Sequence, residues 1–307
     1  MERMRWYGLA GLLATAVVSG CALMDFASVK VMYQKASLPD SQIHKDIAYR
    51  ESSTDPKQRL DLYVPERQNW PVLVFIHGGG WNTGDKAYDV AGSDLYANIG
   101  RYFASRGIGT AVINYRLLPH VNWREQIRDA AAATAWVYRN AARYGGNPKR
   151  LFLSGHSAGA QLAARIALDP EPLKKEGFSK GIVAGVIGVS GAGYEIASKR
   201  SISSTGGLKT YYAKRFADGD ETDAWAKEAS ILRFIDKTAP PFLILYGSAE
   251  TNDLKQQSEL LAKRLKSSGV PMEWIVIPHR DHIQTVMTMS REEGVTTPAL
   301  RHFIEKY

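Results

Sequence analysis

The sequence has few of the features that define several large classes of protein. Its 307 residues include a single cysteine, Cys21, which excludes a disulfide framework and a cysteine-based metal site. The apolar run at 8–18 is too short for an ordinary membrane-spanning helix. The net charge of +8 is dispersed, without a long basic tract or a nucleic-acid-binding motif, so we expect no nucleic-acid partner. What is present, 45% hydrophobic and 23% charged residues, predicts a globular protein with a large core.

The first twenty residues are organised as a secretion signal. MERMR places two arginines before the apolar run, and VSGC follows the run at 18–21. This segment resembles the lipobox of bacterial lipoproteins, in which the chain is cut before a cysteine that then receives a lipid. The resemblance implies a signal peptide at 1–20 and a membrane anchor at Cys21 in the bacterial cell envelope. Ala22 favours the outer over the inner membrane in a Gram-negative host. The alternative is an ordinary signal peptide cut elsewhere, for example after Ala27.

Strand-like and helix-like segments alternate from about residue 43 to the end of the chain. The predicted strands lie at 59–65, 71–79, 108–115, 150–156, 181–191, 241–248 and 272–278. The predicted helices lie at 93–107, 123–146, 157–168, 254–268 and near 297–306. This alternation predicts an α/β fold, with one mostly parallel sheet and helices on both faces. We interpret 21–42 as a tether and 43–307 as one domain, from which the polar segment 192–236 forms a small excursion.

Two segments match the pattern G-x-S-x-G, and their contexts differ. GHSAG at 155–159 follows an apolar strand and opens a helix, which is the strand–turn–helix context of a nucleophile elbow. There the serine lies at a helix N-terminus, where negative charge is favoured. GFSKG at 177–181 follows a charged stretch and leads into a strand. We therefore predict that Ser157 is a nucleophile and that Ser179 matches by chance.

A nucleophilic serine needs an oxyanion hole, a base and an orienting acid. HGGGW at 77–81 follows a buried strand, and its glycines let backbone N–H groups approach an oxyanion; Ala158, after the serine, supplies another N–H. In the chain order of such enzymes the acid and then the histidine follow the serine. The end of the strand at 241–248 is followed by two candidate acids, Glu250 and Asp253, and Asp253 also suits a helix cap.

Three histidines follow the serine in the chain. His302 lies in the last predicted helix, whereas His279 and His282 lie in the loop after the strand at 272–278. Loops at the carboxyl ends of parallel strands share one edge of the sheet, so both fit the position of a base.

Together, HGGGW, INYRLLP (113–119), YGGNPKRLFLSGHSAG (144–159) and APPFLILYG (239–247) resemble the α/β-hydrolase superfamily, and more narrowly bacterial carboxylesterases related to the hormone-sensitive-lipase group. This resemblance implies an α/β-hydrolase fold over about 45–305. It also implies that Gly79, Gly80 and Ala158 form the oxyanion hole. It implies that His282 is the base, because DHI matches the family's histidine pattern, and that Glu250, three residues after Gly247, is the acid. His77 would shape the glycine loop.

The acid departs from the commoner family pattern, which has aspartate at that position. Glutamate there resembles kynurenine formamidase, to which ETNDLKQQS (250–258) is locally similar. Three functions therefore stay open. The first is hydrolysis of carboxylic esters through an acyl-enzyme. The second is an arylformamidase or other amidase with the same machinery, and the third is a catalytically silent, surface-anchored binding protein. We expect a small-molecule ester or amide as partner and no metal or organic cofactor; no pattern indicates the oligomeric state.

Overall fold

The structure, a computed structural model, describes residues 31–90, 92–197, 206–222 and 224–307. The predicted signal peptide and Cys21 lie outside the described residues.

Eight of the strands form one sheet. The strands are β1 (Ile43–Ala48), β2 (Arg59–Tyr63), β3 (Trp70–Ile76), β4 (Asp89–Val90), β5 (Ser93–Asp94), β6 (Gly109–Ile113), β7 (Gly146–His156), β8 (Val183–Val189), β9 (Phe242–Gly247) and β10 (Met272–Ile277). The order across the sheet is β1-β2-β6-β3-β7-β8-β9-β10, and β4 and β5 form a separate pair. β1 and β2 pair antiparallel, as do β2 and β6, whereas all pairs from β6 to β10 are parallel. The predicted mostly parallel sheet is confirmed.

Helices cover both faces of this sheet. They are α1 (Leu95–Ala104), α2 (Trp123–Asn140), α3 (Ala158–Leu168), α4 (Pro170–Lys175), α5 (Gly206–Phe216), α6 (Ala224–Ala229), α7 (Asn252–Ser267), α8 (His282–Met287) and α9 (Thr296–Lys306). One buried cluster joins the sheet to α2, α3 and α7, and a second joins its other face to α1, α8 and α9. Parallel strands covered on both sides are apolar throughout, as β3 is, with all seven residues buried. In the described parts of the chain, no helix is both long and apolar enough to cross a membrane.

The described part of the segment that we interpreted as a tether packs against the domain. Met32 is buried in the second cluster, and Arg291 donates a hydrogen bond to its carbonyl oxygen at 2.9 Å. The side chain of Asn98 on α1 accepts from the backbone of Ala36 at 2.7 Å and donates to Gln34 at 2.8 Å. The folded domain therefore includes residues from Met32 onwards, which corrects the boundary drawn at residue 43.

The excursion at 192–236 contains α5 and α6 and packs over α2. The indole N–H of Trp123 donates to the carbonyl oxygen of Phe216 at 3.0 Å. Arg124 pairs with Glu228. These contacts hold the excursion above the carboxyl ends of the strands, where the predicted site residues lie.

Candidate active site

Ser157 occupies a strained turn between β7 and α3. Its φ and ψ angles are 55° and −120°, values that a residue with a side chain adopts only when its surroundings enforce them. Its N–H donates to Val189 at the end of β8. A Cβ atom on Gly159 would lie 2.1 Å from the carbonyl oxygen of Ile76, and one on Gly155 would lie 2.3 Å from Gly159. The two glycines of the motif thus allow α3 to pack directly on β7 and β3, which fixes the turn.

Ser179 has none of this geometry. It is exposed, its φ and ψ angles of −86° and 161° are those of ordinary extended backbone, and a short 3₁₀ turn leads from it into β8. The second G-x-S-x-G segment is therefore a surface loop without an elbow.

The structure brings Glu250 next to His282. Nδ1 of His282 and Oε2 of Glu250 are 3.8 Å apart, and neither atom forms a hydrogen bond within the described residues. The carboxylate is fully buried, whereas about a third of the histidine side chain is exposed. A displacement of about 1 Å would bring the pair to hydrogen-bond distance. This arrangement suits an acid that orients a histidine from the buried side while the ring faces a pocket.

The other carboxylate oxygen holds Glu250 in place. Its Oε1 accepts from the N–H of Gly247 at 2.9 Å and from the hydroxyl of Ser190. The Ser190 hydroxyl also contacts that of Thr285 at 2.6 Å, and Thr285 donates to the carbonyl oxygen of His282 at 2.7 Å. Two hydroxyl groups therefore link the carboxylate of Glu250 to the backbone of His282, while Nδ1 and Oε2 face each other at 3.8 Å.

The loops after β9 and β10 are tied together by backbone contacts. The N–H of Ala249 donates to Arg280 at 3.0 Å, and the N–H of His279 donates to the hydroxyl of Ser248 at 2.8 Å. A Cβ atom on Gly247 would lie 1.9 Å from the carbonyl oxygen of Arg280, so only glycine permits this approach. His279 itself is exposed, as is His302 on α9. His282 is the first residue of α8, whereas the sequence predicted that it lies in a loop.

Asp253, the alternative acid, does not cap a helix. The N-cap of α7 is Thr251, and Asp253 lies one residue inside the first turn, where a carboxylate favours the positive end of the helix dipole. The sequence predicted that this helix begins at residue 254 with Asp253 as its cap, which is two residues later than its observed start. Asp253 lines the same pocket as His282, but the carboxylate at Nδ1 is that of Glu250.

The glycine loop after β3 adopts conformations that require glycine. Gly79 and Gly80 have φ angles of 113° and 57°, and a Cβ atom on Gly79 would lie 2.2 Å from the carbonyl oxygen of Thr83. Arg215 on α5 donates to the carbonyl oxygen of Gly80 at 2.8 Å and stacks on Tyr211. Ala158, whose N–H belongs to the predicted oxyanion hole, is the first residue of α3. The excursion is thereby attached to the predicted oxyanion loop.

One pocket of about 250 Å³ contains both Ser157 and His282. Its other walls come from the excursion and the first turns of α7: Ala192, Tyr211, Tyr212, Thr251, Asp253, Leu254, Gln256 and Gln257. No motif marks the tyrosines or the α7 wall, so these parts of the pocket were not predicted from the sequence. A continuous helical pattern from residue 252 would have indicated the α7 wall.

His77 is buried at the start of the glycine loop. Its ring is buried, stacks on Tyr115 with 4.5 Å between ring centroids, and Nδ1 lies 2.6 Å from the carbonyl oxygen of Gly78. Burial lowers the pKa of His77 from 6.5 to about 4. The ring is therefore neutral at neutral pH and fixes the start of the glycine loop.

Two buried histidines predict a loss of stability in mild acid. Burial lowers the pKa of His77 to about 4, and burial together with the charge of His282 lowers the pKa of His156 well below its usual range. Unfolding restores both pKa values to about 6.5, so the unfolded chain binds more protons below that pH. Their stabilisation is complete above about pH 6.5 and decreases as the pH falls towards 4, by up to about 1.4 kcal/mol per pH unit for each ring.

Urea unfolding at a series of pH values measures this slope. Replacement of the exposed His302 by glutamine serves as the control and should leave the slope unchanged. A free energy of unfolding that stays constant between pH 6.5 and 4.5 would contradict the prediction.

Comparison with known proteins decides the family. Residues 60–265 match the BD-FAE family model, which is more than half of the chain. The chain belongs to the BD-FAE family. The match begins within β2 and ends within α7. It includes the elbow, the glycine loop and Glu250, while His282 lies beyond it.

Relatives of this BD-FAE family member are named as esterases. It is 28% identical to isoprenylcysteine alpha-carbonyl methylesterase of Arabidopsis thaliana over 91% of this chain and 64% of the relative. It is also 28% identical to esterase LipC of Mycobacterium tuberculosis over 82% of this chain and 63% of the relative. The chain thus spans slightly under two thirds of the length of both curated relatives.

A solved structure covers nearly the whole chain. Esterase B from Lactobacillus rhamnosis has a TM-score of 0.71 and 27% sequence identity, covering 96% of this chain and 97% of that one. The strand order and this likeness confirm the predicted α/β-hydrolase fold.

Proposed function

We propose that this protein hydrolyses carboxylic esters of small molecules through an acyl-enzyme intermediate. The observation that carries the proposal is the placement of Ser157, at a strained elbow, in one pocket with His282, whose Nδ1 faces a buried carboxylate. The naming of relatives and of a structural neighbour as esterases supports the same reaction.

In the first half of the reaction the hydroxyl oxygen of Ser157 attacks the acyl carbonyl. His282 accepts the hydroxyl proton at Nε2, and Glu250 stabilises the resulting imidazolium through Nδ1. The carbonyl electrons move to the oxygen, whose negative charge is stabilised by the N–H groups of Gly79, Gly80 and Ala158. When the carbonyl re-forms, the bond to the alcohol breaks and His282 returns the proton to the departing oxygen.

In the second half, water replaces the alcohol. His282 takes a proton from the water as its oxygen attacks the acyl-enzyme, the oxyanion forms again, and the acid is released as Ser157 regains its proton. Each half transfers one proton through the same imidazole, so ester and water are the two reactants and the enzyme returns to its starting state.

A substrate screen with detergent-solubilised full-length protein tests this function. The substrates are p-nitrophenyl esters of increasing acyl length, aryl esters, sugar esters and N-formyl amides. Ester hydrolysis faster than amide hydrolysis supports the proposal. Preference for N-formyl amides would instead identify a formamidase, and absence of turnover with all four classes would favour the binding protein.

We also propose that Cys21 anchors the protein in the bacterial cell envelope. The support is the arrangement of the first 21 residues: arginines, an apolar run and VSGC with the chain's only cysteine. More than one acyl chain is needed for firm attachment, and the lipobox type of modification supplies more than one. Ala22 favours sorting to the outer membrane.

Replacement of Cys21 by serine is expected to abolish lipid labelling and to move the protein out of the membrane fraction. Metabolic labelling with a radioactive or alkynyl fatty acid, followed by membrane fractionation, measures both. Ser19→Ala, which leaves the cysteine in place, is the matched control. Labelling that persists in the serine variant would exclude the anchor.

A further inference from the structure

His156, the second residue of GHSAG, is buried between two parts of the catalytic machinery. Its Nε2 lies 2.9 Å from the carbonyl oxygen of His282, and its Nδ1 lies 3.0 Å from the hydroxyl of Tyr96 on α1. The same hydroxyl accepts a hydrogen bond from the N–H of Gly78 at 3.2 Å. Gly78 directly precedes the oxyanion glycines, so these four residues form a hydrogen-bond chain from the glycine loop to the catalytic histidine.

The direction of every hydrogen bond in this chain is determined by its ends. A carbonyl oxygen can only accept, so the ring proton of a neutral His156 must be on Nε2. Nδ1 then accepts, and the hydroxyl proton of Tyr96 is the donor that faces it. Burial raises the pKa of Tyr96, which keeps that proton on the oxygen. The oxygen of Tyr96 remains free to accept from Gly78, so three donors meet three acceptors.

The charge of His156 also matters for the reaction. Its ring centroid is 4.7 Å from that of His282, which becomes an imidazolium during catalysis. Burial and the charge of His282 lower the pKa of His156 well below its usual range. A neutral ring at this position donates to the backbone of His282 and adds no second positive charge beside it.

There is no room for a looser arrangement at the loop end. A Cβ atom on Gly78 would lie 3.0 Å from Nδ1 of His156 and 3.1 Å from the hydroxyl oxygen of Tyr96. The glycine loop therefore lies directly against the side chains of His156 and Tyr96.

We propose that Tyr96 and His156 are positioning residues that set the oxyanion loop and His282 in register with each other. This inference rests on the proposed function, because it assigns a role within the same site. The two elements come from distant parts of the sequence, one after β3 and the other after β10, and the reaction requires both to be correctly placed around one carbonyl group. A hydrogen-bond chain with fixed donors and acceptors fixes their separation.

Kinetics of four variants of the hydrogen-bond chain and one control variant, all made in the full-length protein, test the proposal. His156→Leu and Tyr96→Phe should each lower kcat by about 10- to 100-fold, the size expected for misplacement by about 1 Å, with little change in KM. The double variant should be no slower than the slower single variant, because both changes break one chain. His156→Gln should recover most of the activity, since its amide keeps a donor and an acceptor. Tyr102→Phe, which removes another hydroxyl from α1, is the control and should match the wild type.

Two further measurements keep the proposal falsifiable. The rate of covalent labelling by a fluorophosphonate probe reports on Ser157 and its surroundings without ester turnover. If the wild type labels but hydrolyses no ester, the proposed function fails while the labelling rates of the variants still test the chain. Nitrogen-15 NMR of histidine-labelled wild type should show His156 neutral with the proton on Nε2. The proposal would be overturned by an NMR spectrum that places the proton of His156 on Nδ1. It would also be overturned if the kcat of the double variant fell by the product of the two single losses, or if His156→Leu were as fast as the wild type.

Discussion

Replacement of Ser157 by alanine is expected to lower kcat for ester hydrolysis by about 10⁴- to 10⁶-fold, the loss typical of removing a catalytic serine. The variant should keep its fold, because alanine experiences the same backbone constraint at φ 55° and ψ −120° as serine does. A chromogenic ester assay gives kcat, and thermal unfolding verifies that the variant is folded.

Ser179→Ala is the matched control for this substitution, because it removes the same hydroxyl from the other G-x-S-x-G segment. Ser179 is exposed in ordinary extended backbone, so its loss should change stability by no more than about 0.5 kcal/mol and leave kcat unchanged. Equal losses in the two variants, or a loss at Ser179 alone, would remove Ser157 from the mechanism.

Replacement of Glu250 by glutamine is expected to lower kcat by about 10²- to 10⁴-fold. The amide oxygen can still accept from Gly247 and Ser190, so the loop should keep its conformation. The amide nitrogen then faces Nδ1 of His282 and favours the tautomer with the proton on Nε2, which cannot accept the proton of Ser157. The pH dependence of kcat and the melting temperature distinguish this effect from unfolding.

Asp253→Asn provides the comparison for the acid. Asp253 lies in the first turn of α7 and lines the pocket. We therefore expect Asp253→Asn to lower kcat at least tenfold less than Glu250→Gln does. A larger loss at Asp253 would move the orienting carboxylate to that residue and weaken the local similarity to formamidases, which depends on Glu250.

The parts of the site that local sequence determines could be predicted. A glycine on each side of Ser157 is needed where β7 turns sharply into α3. The five residues GHSAG contain both glycines at the required spacing. HGGGW is similarly local, because its positive φ angles are properties of the loop itself. The parallel strands could likewise be predicted, because a strand that is buried on both faces is a continuous apolar run in the sequence.

Features that depend on distant contacts could not be predicted. Tyr96 and His156 meet across 60 residues, and neither has a neighbour in sequence that indicates the other. Arg215 reaches Gly80 from an excursion without a recognisable pattern. Met32 lies between Val31 and Tyr33, yet Met32 is buried while Val31 is exposed, so its burial follows from the surface that receives it and not from the local apolar pattern.

If Cys21 anchors the protein, the packing of Met32 would limit how far the domain could move from the membrane. Eleven Cα–Cα steps separate Cys21 from Met32, and a chain of this length can reach at most about 40 Å. Asn98 and Arg291 form hydrogen bonds with Ala36 and Met32, so the position of these contacts would then determine which surface of the domain faces the bilayer. Substrates held in the same membrane would then meet the pocket at a higher effective concentration than substrates dissolved in bulk solution.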